Sequence, residues 1–268
     1  VGQRDYEPLD THRKVTLFDP LNETRPMLEK AGLVEGRDFF MTTSPFSGMQ
    51  KFDRLSGSQL QETLGVEGIS SDTVVAPSRS VMIIGSKLWV EPLRDKYLLV
   101  KEFIERGGRV LFLYPNAHAL NDIGIFNEIM VQENEWIGDE ASVAMESIWH
   151  TSRIFGTWIN PRRSDTGIFD SIKREQLWLW SDPSNWNPSQ PGLPDFEPVS
   201  TLMKVRDMEA LDSTAVLADF GRGLEYVALA EVFRGEGSVV VSGFDFDQFV
   251  GFDPIADKVL RGIIQYIG

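Results

Sequence analysis

The sequence predicts an α/β fold: a doubly wound, mostly parallel sheet that ends in an antiparallel hairpin. Three observations carry this. Residues 81–85 and 109–113 are continuous apolar runs, as expected of strands covered on both faces. Between them, Leu93, Tyr97, Val100, Phe103 and Ile104 recur at helical spacing, and Gly107 and Gly108 end the helix. Strand, helix and strand within about 35 residues form a βαβ unit with a right-handed crossover. The chain then closes with a turn at 234–237, a buried strand at 238–243, a loop, and a helix opening at Asp253 and Pro254.

The remaining elements follow in order. Residues 14–19 are β-prone. Asn22 is placed to cap a helix over 23–31, with Pro26 in its first turn and Gly32 as its stop. Residues 38–42 form a second strand. Residues 44–79, rich in Ser, Gly and polar groups, predict a long loop with one short helix near 59–64. Residues 116–198 are an irregular insertion holding six of the seven tryptophans, and its 182–198 stretch carries five prolines. Strands return at 199–205, 214–219 and 226–233. In the last helix Ile255, Val259, Leu260, Ile263 and Ile264 share one face.

The totals bound the function. A chain of 268 residues with 42% apolar content can bury one large α/β core after a linker at 1–13. Val1 in place of Met predicts a fragment of a longer chain. No apolar run approaches the roughly 20 residues of a membrane span. The balance of 26 basic against 40 acidic residues, net −14, disfavours nucleic acid, whose binding needs a cationic surface. The absence of cysteine removes disulfides, thiolate metal sites and cysteine nucleophiles.

The ordered segments at 15–19, 81–113, 167–180 and 228–237, with the closing strand and helix, resemble the class I glutamine-amidotransferase-like domains of glycoside hydrolase family 2 and other β-galactosidase-like enzymes. The resemblance covers most of residues 14–268. It implies a flavodoxin-like sheet with helices on both faces and an accessory role beside a sugar-cleaving domain; an exported parent protein is the setting favoured. It implies no amidotransferase chemistry. Such enzymes set a cysteine in a glycine-flanked elbow after the strand at 110–113, beside an oxyanion hole. Here that place holds Tyr114, Pro115, Asn116, Ala117 and His118. The late His-x-Glu pair is missing too, since the only histidines are His12, His118 and His150.

No catalytic residue, metal ligand or cofactor is assigned. The two carboxylates Asp245 and Asp247 follow a buried strand, where an acid and a base of glycoside hydrolysis would sit, with Glu225 as a further candidate. The plainer reading is that they cap a loop or the next helix. Trp180 and Trp186 offer faces for sugar stacking, or else fill core and interface. A ligand would lie at the C-terminal edge of the sheet, near Ser86, Lys87, Tyr114, Asn116 and Asp245. The alternative is a crevice plugged by Phe46, Met49 and Phe52. The function expected is a non-catalytic structural or interaction domain of a larger carbohydrate-active protein, its partners being neighbouring domains, copies of itself, or carbohydrate.

Overall fold

The computed structural model describes residues 6–42, 77–85, 97–113, 127–132, 159–177, 180, 199, 202–220 and 226–268. In chain order these form β1 (Lys14–Phe18), α1 (Thr24–Lys30), β2 (Phe40–Thr42), β3 (Ser80–Ile84), α2 (Tyr97–Glu105) and β4 (Arg109–Phe112). The short strands β5 (Ile129–Gln132), β6 (Ile159–Pro161) and β7 (Leu202–Val205) come next, before the long β8 (Thr214–Phe220), β9 (Tyr226–Arg234) and β10 (Gly237–Ser242). Two helices close the chain, α3 (Phe246–Phe249) and α4 (Pro254–Ile267).

All ten strands share one sheet. Its path runs β2-β1-β3-β4-β10-β9-β7-β5, with β8 paired to β9 and β6 paired to β8. From β2 to β10 the neighbours are parallel. From β10 onward every pairing is antiparallel. The α/β class is therefore as predicted, but the antiparallel part extends well past the expected hairpin. The extra strands β5 and β6 lie in the region read as irregular. With four and three residues they complete too few alternations to stand out from the Trp- and Pro-rich sequence around them.

The parallel half is buried on both faces, which explains its continuous apolar runs. Val15, Leu17, Val81, Ile83, Leu111 and Val240 face α1 and α4. Phe18, Met82, Ile84, Val110, Phe112, Val239 and Val241 face the other way, with Val100, Phe103 and Ile104 of α2. Each such aliphatic side chain contributes about 1.5–3 kcal/mol by leaving water. The tight turn predicted between the last two strands is present: Gly237 pairs with Arg234, and Gly235 takes φ 56°. In α4, Pro254 starts the helix and the Asp253 carboxylate accepts the Ile255 N–H at 2.7 Å. The five apolar residues expected on its buried face are all there.

The cap of α1 differs from expectation. Asn22 adopts φ 54° in the turn, and the carboxylate that receives the helix N–H groups belongs to Asp19. The predicted loop and helix at 44–76, including Phe46, Met49 and Phe52, lie outside the described residues.

Residues 6–13, assigned to a linker, are fastened along their length. Tyr6 donates its hydroxyl to Asp257 Oδ2 at 2.9 Å, and Leu9 N–H donates to Asp38 Oδ1 at 3.1 Å. His12 N–H reaches Gly268 O at 2.9 Å, while Arg13 Nη1 reaches Gly107 O at 2.8 Å. Composition marks this segment as polar, but it cannot reveal that acceptors as distant in the chain as Asp257 and Gly268 wait for it.

Asp38 makes the strap sensitive to acid. Burial alone would raise its carboxyl, but hydrogen bonds from Arg37 and from the Val34 and Leu9 N–H groups outweigh that, and it titrates below its ordinary value. A depressed folded value means stabilisation present above the unfolded pKa of about 3.9 and lost as pH falls through the folded one. The urea midpoint of the wild type should exceed that of Asp38→Asn at neutral pH, and the gap should close below about pH 4. A gap that stays constant down to acid pH would refute the assignment.

Candidate functional site

Strand order reverses between β1 and β3, because the chain leaves β1 for β2 on one side and returns to β3 on the other. Open α/β sheets bind ligands beyond the carboxyl ends of the strands at such a switch point. Asp19 follows β1 there, and Gly85 follows β3. The first N–H groups of α1 point into this crevice and would suit an anion. The chain supplies its own: Asp19, 5% exposed, accepts the Glu23 and Arg25 N–H groups at 3.1 and 2.7 Å. The floor is closed as well. A Cβ added at Gly85 would stand 2.8 Å from Thr24 Oγ1 and 3.3 Å from Asp19 Oδ1. Among the described residues, Asp19 thus takes the N–H groups that an anion at this point would need.

Farther along the same edge, β10 leads into α3. Asp245 is the N-cap of α3, and its carboxylate accepts the Gln248 N–H at 3.3 Å. Asp247 lies in the first turn, where a negative side chain complements the helix dipole. The sequence around them reads as alternating strand end, but it forms this short helix instead. Phe244, Phe246 and Phe249 are all fully buried.

These phenylalanines enclose Trp180, which has no exposed surface. Its ring stacks on Phe244 at 5.4 Å and on Phe246 at 6.0 Å between centroids, with Phe249 edge-on at 5.6 Å. The faces that the sequence offered to a sugar are occupied by protein, so Trp180 is core. Ser86, Lys87, Tyr114, Asn116, Trp186 and Glu225 lie outside the described residues. Among the described residues no cluster of His, Asp or Glu is placed to hold a metal ion, and no helix is long and apolar enough to cross a membrane.

A different depression is lined by several exposed polar side chains. Between the strap at 6–12, the 166–171 turn and α4 lies an open cleft of about 830 Å³. It lies toward the N-terminal edge of the sheet, where Gly268 at the end of α4 meets His12 just before β1. Lys258 and Gln265 of α4 face Asp170, Ser171 and Asp10 across it. Tyr266 lies at its wall and donates its hydroxyl to Glu231 Oε2 on β9. Burial first, and then the hydrogen bond to Glu231, push the Tyr266 hydroxyl far above its ordinary range, so it stays a donor. Glu231 is 1% exposed, and its Oε1 meets no partner among the described residues. Sequence reading missed this pair. The available signal was a single carboxylate, Glu231, inside the apolar run of β9.

No family model matches the sequence, and no curated protein matches it. Among solved structures, the chain is similar to the exo-β-1,4-mannosidase Op5Man5 from Opitutaceae bacterium strain TAV5, with 10% identity and a TM-score of 0.40 over 95% of this chain and 35% of that one. It is also similar to Gan42B, a GH42 β-galactosidase, with 12% identity and a TM-score of 0.27 over 87% of this chain and 27% of that one. This weak structural similarity is thus to glycoside hydrolases, and the chain spans about a third of the length of the first.

Proposed function

We propose that this chain is a non-catalytic structural and interaction domain of a larger carbohydrate-active, exported protein, where it packs against neighbouring domains or copies of itself. One observation carries the reading. At the sheet edge where an open α/β fold gathers reactive groups, the described carboxylates Asp19 and Asp245 hold backbone N–H groups of their own helices. A scaffold of this kind keeps its fold without keeping a reaction. The glycoside-hydrolase setting rests on the ordered sequence segments that resemble amidotransferase-like accessory domains. The order β2-β1-β3-β4-β10 of the parallel strands agrees with the flavodoxin-like sheet that this resemblance implies.

The interaction role has a surface to support it. Met208 is 79% exposed and Leu211 44%, and with Val205, Val216 and Val227 they border a groove of about 390 Å³. Met208 and Leu211 are the exposed apolar side chains of this groove, and exposed apolar surface of this kind is available for contact with a partner.

The test is an assay of the purified chain on aryl galactosides, glucosides and mannosides. Release of aglycone should stay at the buffer rate, and Asp245→Asn and Asp247→Asn should change nothing. Turnover above buffer that falls in Asp245→Asn would replace this reading with hydrolysis by the carboxylate pair.

A further inference from the structure

We infer that the cleft beside α4 is a binding site for a neutral, polyhydroxylated ligand such as an oligosaccharide. The inference stands on the cleft's own chemistry and does not need the accessory role to hold.

The C-terminal edge of the sheet and this cleft differ in how their polar groups are used. At the C-terminal edge, Asp19 and Asp245 are committed to backbone N–H groups of their own helices. In the cleft, the side chains of Lys258, Gln265, Asp170 and Ser171 enter no hydrogen bond or ion pair among the described residues. They line a volume of about 830 Å³, within the range of small-molecule sites.

The walls are held firmly. Lys258 and Gln265 are one turn-pair apart on the polar side of α4, opposite its buried stripe. Across from them, Asp170 and Ser171 sit in a tight turn closed by Asp170 N–H to Gly167 O and Ile172 N–H to Phe169 O, both 3.1 Å. Ser171 is held there at φ 62°, a conformation costly for a residue with a side chain. Buried Ile168 anchors the turn. Backbone strain retained at a cleft wall is a pointer to function.

The charges choose the ligand class. The lining is mixed: Lys258 and Arg261 of α4 share the cleft with the carboxylates Glu7, Asp10 and Asp170. An anion is repelled by the carboxylates of a chain that already carries −14, and a cation meets the two basic groups. Lys258, Asp10 and Asp170 are exposed, and solvated charges hold a zwitterion only weakly. What this set does well is exchange many hydrogen bonds, directly or through water, with closely spaced hydroxyls that donate and accept alike.

Calorimetry on the whole chain tests this with neutral trisaccharides of galactose, glucose and mannose, inorganic phosphate, and a zwitterionic tripeptide. At least one trisaccharide should bind with a Kd of about 0.1–1 mM. Lys258→Ala with Gln265→Ala should weaken it about tenfold or more. Lys101→Ala on α2, across the sheet, should leave it unchanged. Both cleft positions are exposed, and an unaltered thermal midpoint confirms that the double variant folds. Binding of phosphate or the tripeptide alone, no trisaccharide binding, or binding indifferent to the double variant overturns the inference. Sugar hydrolysis lost in Asp245→Asn would remove the accessory reading and leave the cleft untouched. Absent sugar binding would do the reverse.

Discussion

Gly237→Ala should cost about 3 kcal/mol or more, read directly as a lowered urea midpoint or loss of soluble protein. The reason is backbone crowding. A Cβ at position 237 would fall well inside contact distance of the Gly108 and Ile104 carbonyl oxygens, and 3.0 Å from the Gly107 carbonyl carbon. None of these is the end of a flexible side chain that can swing aside. Relief requires moving either the end of α2 or the start of β10. That strand is the seam of the sheet: Ser238–Val241 pair in parallel with Arg109–Phe112 of β4, and the other edge pairs antiparallel with β9. Displacing its first residue therefore weakens the junction between the parallel and antiparallel halves. Gly36→Ala is the control. Its φ of 83° is unfavourable for alanine, but nothing lies within 4 Å of the added Cβ. The cost there should be the conformational one alone, about 1–2 kcal/mol. Equal losses at the two positions would show that crowding at Gly237 is relieved without harm.

The same seam explains which parts of the fold were legible. β1, β3, β4 and β10 announce themselves because burial on both faces demands unbroken apolar runs, and glycine pairs punctuate them. β5 and β6 escape notice because three or four residues on the antiparallel side, such as Ile159, Asn160 and Pro161, carry no resolvable period. α3 escapes for a different reason. Phe244, Phe246 and Phe249 are compatible with a strand end until Trp180 is known to lie among them.

Polar partnerships were least legible of all. Asn22 is a good capping residue by type, yet Asp19, three positions earlier, reaches the N–H groups of α1 because the intervening turn folds back. Tyr6 with Asp257 and Tyr266 with Glu231 pair residues 251 and 35 positions apart. No local pattern encodes them. Consequently the sequence located candidate chemistry at Asp245 and Trp180, where residue types are conspicuous. The uncommitted groups Lys258, Gln265 and Asp170 converge only once α4 and the 166–171 turn are packed together.

Trp180→Ala should destabilise the chain by about 3–5 kcal/mol, the range for emptying a large aromatic site in a core. Three phenylalanines would lose their shared partner, and the space between Phe244 and Phe249 is too well walled to collapse without moving α3. Trp180→Phe separates packing from polarity. The indole Nε1 is buried without a hydrogen-bond partner among the described residues. Phenylalanine removes that unsatisfied donor, which offsets part of the volume it gives up, so the cost should stay below about 1.5 kcal/mol. Urea midpoints of the three proteins, followed by tryptophan-independent circular dichroism, measure both effects. A sugar platform would behave in the opposite way: an exposed ring can be truncated with little loss of stability, while saccharide affinity falls. If Trp180→Ala leaves the urea midpoint unchanged and abolishes saccharide binding, Trp180 belongs to a site and the core described around it is wrong. If stability falls and the affinity of the remaining folded protein is preserved, the tryptophan is what anchors α3 beneath the sheet edge, and recognition lies elsewhere.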